Sequence, residues 1–256
     1  PNSRFGLVNH LKAKGYMPDE LVQSKIAFMS RNNTPVDRFF DRVMYPIIDL
    51  RGNVIAFGGR TLGDGKPKYL KTSGTLVFNK SNNLFALNFA KNSGQNSLIL
   101  AEGYMDVIAM HQAGFTNAVA TLGTALTTEQ ASLMRNYTGE VIVAYDADEA
   151  GQKATARAIP ILRDTGLLVK VLTITGGKDP DEYIRSFGEQ GPARFKQLLE
   201  QTSNDIEYRL QKIKANTNME TAEGRVAYLT AAAALLSTID SRIEQEIYAG
   251  RLSEEI

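Results

Sequence analysis

Asp146 and Asp148 stand two residues apart, directly after the apolar run Val141 to Tyr145 and before Glu149, Gly151 and an alanine-rich stretch. The apolar run predicts a buried parallel strand, aliphatic on both faces. If its extended geometry persists, the two carboxylates leave the same face at the strand's carboxyl end, where open α/β sheets bind ligands. Adjacent anions repel unless a cation lies between them, so a divalent metal is the natural third party. An N-cap of the following helix accounts well for one aspartate and poorly for the second.

Other acids fall at equivalent places. Glu102 ends the strand SLILA and is followed by Gly103, with Asp106 one helical turn on. Asp179 and Asp181 follow the strand LLVKVLTI, with Pro180 between them. The chain has no cysteine and only two histidines, His10 and His111. That excludes disulfides, cysteine-ligated zinc and iron–sulfur sites, and it disfavours a multi-histidine centre. A metal here must be held by carboxylates, which points to Mg2+ or Mn2+.

The elements that must position these acids alternate strand and helix from Ser97 to Phe187: SLILA, Tyr104 to Gln112, NAVATL, Thr127 to Asn136, VIVAY, a helix from Glu149 bent or restarted at Pro160, then LLVKVLTI. Such alternation implies a parallel sheet covered on both faces. Upstream, Phe5 to Lys14 and Pro18 to Ala27 predict short helices. VMYPIID and NVIAFGGR predict strands about a turn at Gly52, PKYLKT and TLVFNK further strands, and Asn83 to Lys91 a helix. Downstream of Pro192, Phe195 to Lys214, Thr221 to Thr238 and a segment from Ser241 predict helices.

Charge divides the same way. Residues 1–80 hold 13 Lys/Arg against 6 Asp/Glu, a net of +7, whereas the remainder holds 16 against 22, a net of −6. A basic lobe ahead of an acidic one suits a polyanion on the first and metals in the second. Arg42, Arg60, Lys68, Lys71 and Lys80 sit with Tyr69 and Phe78, a mixture suited to stacking on single strands. Gly58-Gly59 allows a bulge or a close backbone approach. No run reaches the roughly 20 apolar residues that span a bilayer, and no signal peptide is visible, which predicts a cytoplasmic protein. The chain opens on Pro1 instead of Met, which predicts a piece of a longer one.

The EGYMD run at Glu102 to Asp106, the DAD pair with its AG follow-on at Asp146 to Gly151, and DPDEYI resemble the Toprim domain of bacterial primases, topoisomerases and some nucleases. Preceded by DRVMYPI, FGGR, PKYL and FNK, they resemble the RNA polymerase core of DnaG-type primases. Ala147 departs from the glycine usual between the two aspartates. The resemblance implies an α/β chain, α+β overall: a basic mixed lobe over residues 1–95, a Toprim parallel sheet flanked by helices over 96–190, and a small helical subdomain over 191–256.

It further implies synthesis of short RNA primers on single-stranded DNA from ribonucleoside triphosphates, giving an RNA–DNA hybrid. Carried over residue by residue, Glu102, Asp146 and Asp148 are catalytic. These three with Asp179 and Asp181 hold two or more Mg2+ or Mn2+ ions, and Asp106 supports them. Arg42, Arg60, Lys68 and Lys80 bind nucleotide or nucleic acid. The family's zinc-binding domain and its helicase-binding domain are both expected outside this chain, so no zinc is expected within it and the replicative helicase is met through a missing C-terminal domain. Alternatives are a topoisomerase or nuclease module, a phosphoacceptor regulator using one strand-end aspartate, and a non-catalytic DNA-binding module.

Overall fold

A computed structural model describes residues 3–255, which divide into two compact units that meet in sequence between Glu200 and Gln201. The first unit opens with helices α1 (Gly6–Ala13) and α2 (Pro18–Gln23) and an antiparallel pair, β1 (Ala27–Met29) and β2 (Pro35–Asp37). The sequence predicted only helices here. Burial explains the strands: Ala27 packs with Val8 and Leu21, while buried Asp37 accepts the Leu7 and Val8 amides at 2.8 Å and so caps α1 from β2.

A three-stranded antiparallel sheet follows: β3 (Arg42–Ile48), β4 (Val54–Thr61) and β5 (Tyr69–Lys71). The β3–β4 turn forms as read, with Gly52 at φ +92 and the Asp49 carboxylate accepting the Arg51 and Asn53 amides. TLVFNK forms no strand. Thr75 bridges only Phe78, Leu76 is 98% exposed, and the chain enters a 3-10 turn at Lys80–Asn82. With one buried side chain, Phe78, the run lacks the alternation that would join it to a sheet. The helix expected over Asn83 to Lys91 shrinks to α3 (Leu87–Ala90), because Phe85 pairs with Ala120 at the edge of the next sheet and Ala86 turns the chain at φ +65.

The centre of the unit is the predicted alternation: β6 (Ser97–Ala101), α4 (Tyr104–Gln112), β7 (Ala118–Ala120), α5 (Thr128–Arg135), β8 (Glu140–Val143), α6 (Glu149–Asp164), β9 (Leu168–Val171), α7 (Pro180–Ser186) and α8 (Gly191–Glu200). Strands β6 to β9 are parallel, in the order β9-β8-β6-β7. Leu98 to Ala101 and Val141 to Ala144 are buried throughout, the mark of strands covered on both faces. Thr127 and Gln130 form the predicted capping box of α5. Helix α6 does not break at Pro160. Proline removes one helical hydrogen bond, and burial of Ala158, Ile159 and Leu162 around it offsets that loss.

The second unit holds α9 (Asp205–Ala215), α10 (Ala222–Leu236) and α11 (Arg242–Glu254), capped by Asn204, Thr221 and Ser241. Its own core gathers Ile206, Tyr228, Ala232, Leu236, Tyr248 and Leu252. Among the described residues no helix is long and apolar enough to cross a membrane.

Candidate active site

The loops at the carboxyl ends of β6, β8 and β9 bring four acids to one cleft of about 460 Å³: Glu102, Asp146, Asp179 and Asp181. Asp106, on the first turn of α4, lines it too. Glu102 follows β6 directly, and its Oε1 accepts the Asp146 amide at 3.2 Å, which locks the two strand ends together. Gly151 lets this happen: a Cβ there would lie 2.1 Å from the Asp146 carbonyl and 2.9 Å from Glu102 Oε1. The loop ahead of α7 is held against β8's exit by the Ala147 amide, which donates to the Lys178 carbonyl at 2.8 Å.

Crowding shows in the acidities. Burial, then the Asp179 and Asp146 charges, push Asp106 up to about 7, although the Asp181 amide donating to it pulls the other way. Burial, then Glu102 and Asp179, push Asp146 up to about 6, against the pull of Lys178. Glu102 and Asp181 are raised as well, each chiefly by burial. These are carboxylates short of positive charge.

Asp148 does not line the cleft, although its charge adds to the rise of Glu102 and Asp146. It is exposed, and its Oδ1 accepts the Gly151 amide at 2.9 Å as the N-cap of α6. Strand β8 ends at Val143, so strand alternation has lapsed before Asp146, and of the pair only Asp146 lines the cleft. Asp179 also caps its helix, accepting the Glu182 amide at 2.7 Å, yet still borders the cleft. Asp181 pairs with Arg185 at 2.6 Å.

The opposite wall is the antiparallel sheet, through Arg60, Lys68, Tyr69 and Lys71. Arg60 and Lys68 flank the Tyr69 ring at 5.7 and 6.0 Å. Arg42 and Lys80 do not line the cleft. The Arg42 guanidinium is held by the Gly59 and Lys68 carbonyls, each at 3.3 Å, whereas Lys80 is near enough to add to burial in lowering the pKa of Lys71.

Tyr104 joins the two walls. Its ring stacks on Phe85 at 4.3 Å, lies 6.1 Å from Tyr45 and carries the Lys71 ammonium 4.5 Å above it. It packs so closely on β4 that a Cβ at Gly58 would fall 2.4 Å from its Cε2. The glycine pair, ambiguous in sequence, is therefore an approach site: Gly58 admits Tyr104, and Gly59 admits Phe39 and the Arg42 stem. Sequence reasoning assigned no role to Tyr104 and named Lys71 only among the basic residues. The glycine pair opposite an aromatic-rich motif was the available signal.

The donor set consists of hard carboxylate oxygens, raised in pKa by burial and then by one another's charges, and it fits a divalent cation. Among the described residues no three acidic or imidazole side chains yet converge on one point as ligands. Two of the acids, Asp148 and Asp179, each accept a helix N-terminal amide through one oxygen.

Three family models match in succession: DNA primase catalytic core, N-terminal domain, over residues 1–91; Toprim-like over 99–184; and the DnaB-helicase binding domain of primase over 206–256. The last corrects the expectation that the helicase-binding domain lies beyond this chain. Three helices with apolar residues at helical spacing and no chemistry-bearing motif read only as a core-closing bundle. A DNA primase of Clostridium acetobutylicum is 41% identical over 250 residues, covering 97% of this chain and 41% of its own length. The chain thus spans about two fifths of that curated relative. A DNA primase domain from Pseudomonas aeruginosa is similar at TM-score 0.80 and 36% identity, covering 99% of this chain and 80% of that one. The RNA polymerase domain of Mycobacterium tuberculosis primase DnaG, in complex with a double-stranded DNA oligomer bearing a 6-nucleotide overhang, aligns at TM-score 0.85 and 31% identity, covering 99% and 82%. With the basic sheet, the acid-lined strand ends and the order of the three matches in agreement, the chain belongs to the family of DnaG-type DNA primase catalytic cores.

Proposed function

We propose that this chain is the polymerase core of a primase, acting in the cytoplasm to synthesise short RNA primers on single-stranded DNA from ribonucleoside triphosphates. The observation that supports this best is the cleft itself, with a basic, aromatic sheet facing a floor of strand-end carboxylates across space for a nucleotide. In the reaction a primer 3′-hydroxyl attacks the α-phosphate of the incoming nucleotide and pyrophosphate leaves. Divalent ions, Mg2+ or Mn2+, supply charge neutralisation and in-line orientation when bound. Glu102, Asp146 and Asp179 would hold them, with Asp181 and Asp106 beside these. Asp148 keeps one carboxylate oxygen outside its cap bond for the same purpose.

The chain's own residues do the rest. Arg60 and Lys68 attract the phosphates, and Tyr69 between them offers a face on which a base stacks. Arg42, tied to two carbonyls, stiffens the start of this wall and meets the template backbone. Lys80 adds positive potential from the side. Residues 206–256 contact the replicative helicase, as the matching family model's description indicates. One assay tests the core of the reading: single-stranded DNA, ribonucleotides and Mg2+ or Mn2+ incubated with the protein yield short RNA that disappears in Asp146→Asn. Persistence of RNA synthesis in that variant would falsify the assignment. A phosphoacceptor or a purely DNA-binding module would give no RNA at all.

A further inference from the structure

Lys71 is the cation of the cleft that lies deepest, at its floor against Tyr104. Arg185 is paired with Asp181. Among the described residues Lys71 has no acidic partner within salt-bridge distance. Its half-buried ammonium rests 4.5 Å above the Tyr104 ring. Gly123, at φ +80, makes room on the other side, since a Cβ there would lie 2.4 Å from Nζ. Burial, aided by nearby Lys80, lowers its pKa to about 8. Holding an unpaired ammonium out of water is costly, and a bound anion is what offsets such a cost.

Its position says which anion. Strand β5 runs from the rim, where Tyr69 is 38% exposed, to the floor, where Lys71 lies opposite Gly58 in register and over Tyr104, itself 3% exposed. A template strand tracks exposed surface, whereas the floor beside the carboxylates suits a compact polyanion. We propose that Lys71 binds the phosphate oxygens of the incoming nucleotide's triphosphate, with Tyr104 and Gly123 positioning its ammonium. This rests on the polymerase reading for the identity of the nucleotide, but not for the polyphosphate.

The test uses the full chain with Lys71→Met, which keeps the aliphatic stem, and Lys71→Ala. Binding of inorganic tripolyphosphate with Mg2+ is measured by calorimetry, single-stranded DNA affinity by anisotropy, and KM for ribonucleotides in primer synthesis. Both variants are expected to weaken tripolyphosphate binding and raise KM about tenfold, while DNA affinity stays within about twofold and the melting temperature does not fall; such a change corresponds to about 1.4 kcal/mol. Unchanged tripolyphosphate affinity overturns the proposal, as does a loss confined to DNA binding, which would make Lys71 a template contact. If the wild-type protein makes no RNA yet binds tripolyphosphate through Lys71, the polymerase reading fails and the polyphosphate site stands.

Discussion

The contact between Gly58 and Tyr104 invites the sharpest test, because it joins the basic wall of the cleft to the acidic one. In Gly58→Ala the new methyl would sit 2.4 Å from Tyr104 Cε2 and 3.2 Å from Cδ2. Carbon atoms pack best at about 3.5–4.0 Å, so the ring must withdraw by roughly 1 Å. It has nowhere easy to go, with Phe85 stacked 4.3 Å away on one side and Lys71 above it. Overpacking of this kind costs about 1–3 kcal/mol. Replacing a strand glycine by alanine returns about 0.5–1 kcal/mol of backbone entropy, so the clash wins by about 1–2 kcal/mol.

Tyr104→Ala alone should cost about 3–5 kcal/mol, as for other large aromatic truncations. In the double variant the methyl enters the space the ring has left, and most of the clash vanishes. The two costs should therefore fall short of additivity by about 1–2 kcal/mol, well outside the roughly 0.5 kcal/mol scatter of independent sites. Urea unfolding followed by circular dichroism, with unchanged m-values as the check on the unfolded state, measures all four corners of the cycle. Additive costs would refute the close approach inferred here, and with it the reason for glycine at position 58.

Other consequences are quickly stated. Tyr104 hydroxyl is buried without a hydrogen-bond partner, and burial pushes its phenol further up, so Tyr104→Phe should raise the melting temperature slightly in thermal scans. Asp106 holds its proton to about pH 7 when folded and to about pH 4 when unfolded, so its contribution is full below about pH 4 and is lost as pH rises to 7. Without divalent ions, Asp106→Asn should flatten that decline in stability between those limits, as read by chemical unfolding at stepped pH. Lys68→Ala should weaken single-stranded DNA or nucleotide binding and reduce the salt slope by about one unit in an anisotropy titration. Thr127→Ala removes the hydroxyl that accepts the Gln130 amide in the capping box and donates to the Ser81 carbonyl, and should cost about 1–2 kcal/mol in the same unfolding assay.

What could be read from the residues alone divides along a physical line. Strands β6 and β8 and helices α4 and α5 with the α5 cap were legible because burial on both faces and local capping chemistry write themselves into consecutive residues. TLVFNK and Asn83 to Lys91 were misread, since their fate depends on partners far away in sequence: Phe78 enters a core with Ile47, Tyr104 and Leu122, and Phe85 pairs with Ala120. Pro160 was overweighted for the converse reason, a local penalty outvoted by the burial around it.

The site follows the same rule. That acids gather at one sheet edge is a consequence of topology and was foreseeable. That Asp148 points to its own helix while Asp146 points to the cleft is decided by where β8 stops, two residues short of the run read as strand. The raised pKa values of Asp106 and Asp146 then acquire a meaning that neither residue has alone. Each is high because water is partly excluded and, after that, because its neighbours are anionic, so the cost of leaving the cleft bare is distributed over several groups. A divalent cation lowers all of them together, whereas an amide at any single position relieves only the pairs that include it. Cation affinity should therefore depend on the carboxylates jointly. Losses from single amide substitutions at Asp146 and Asp106 should fail to add in the double variant, and the cleft acts as one titrating unit instead of a set of independent ligands.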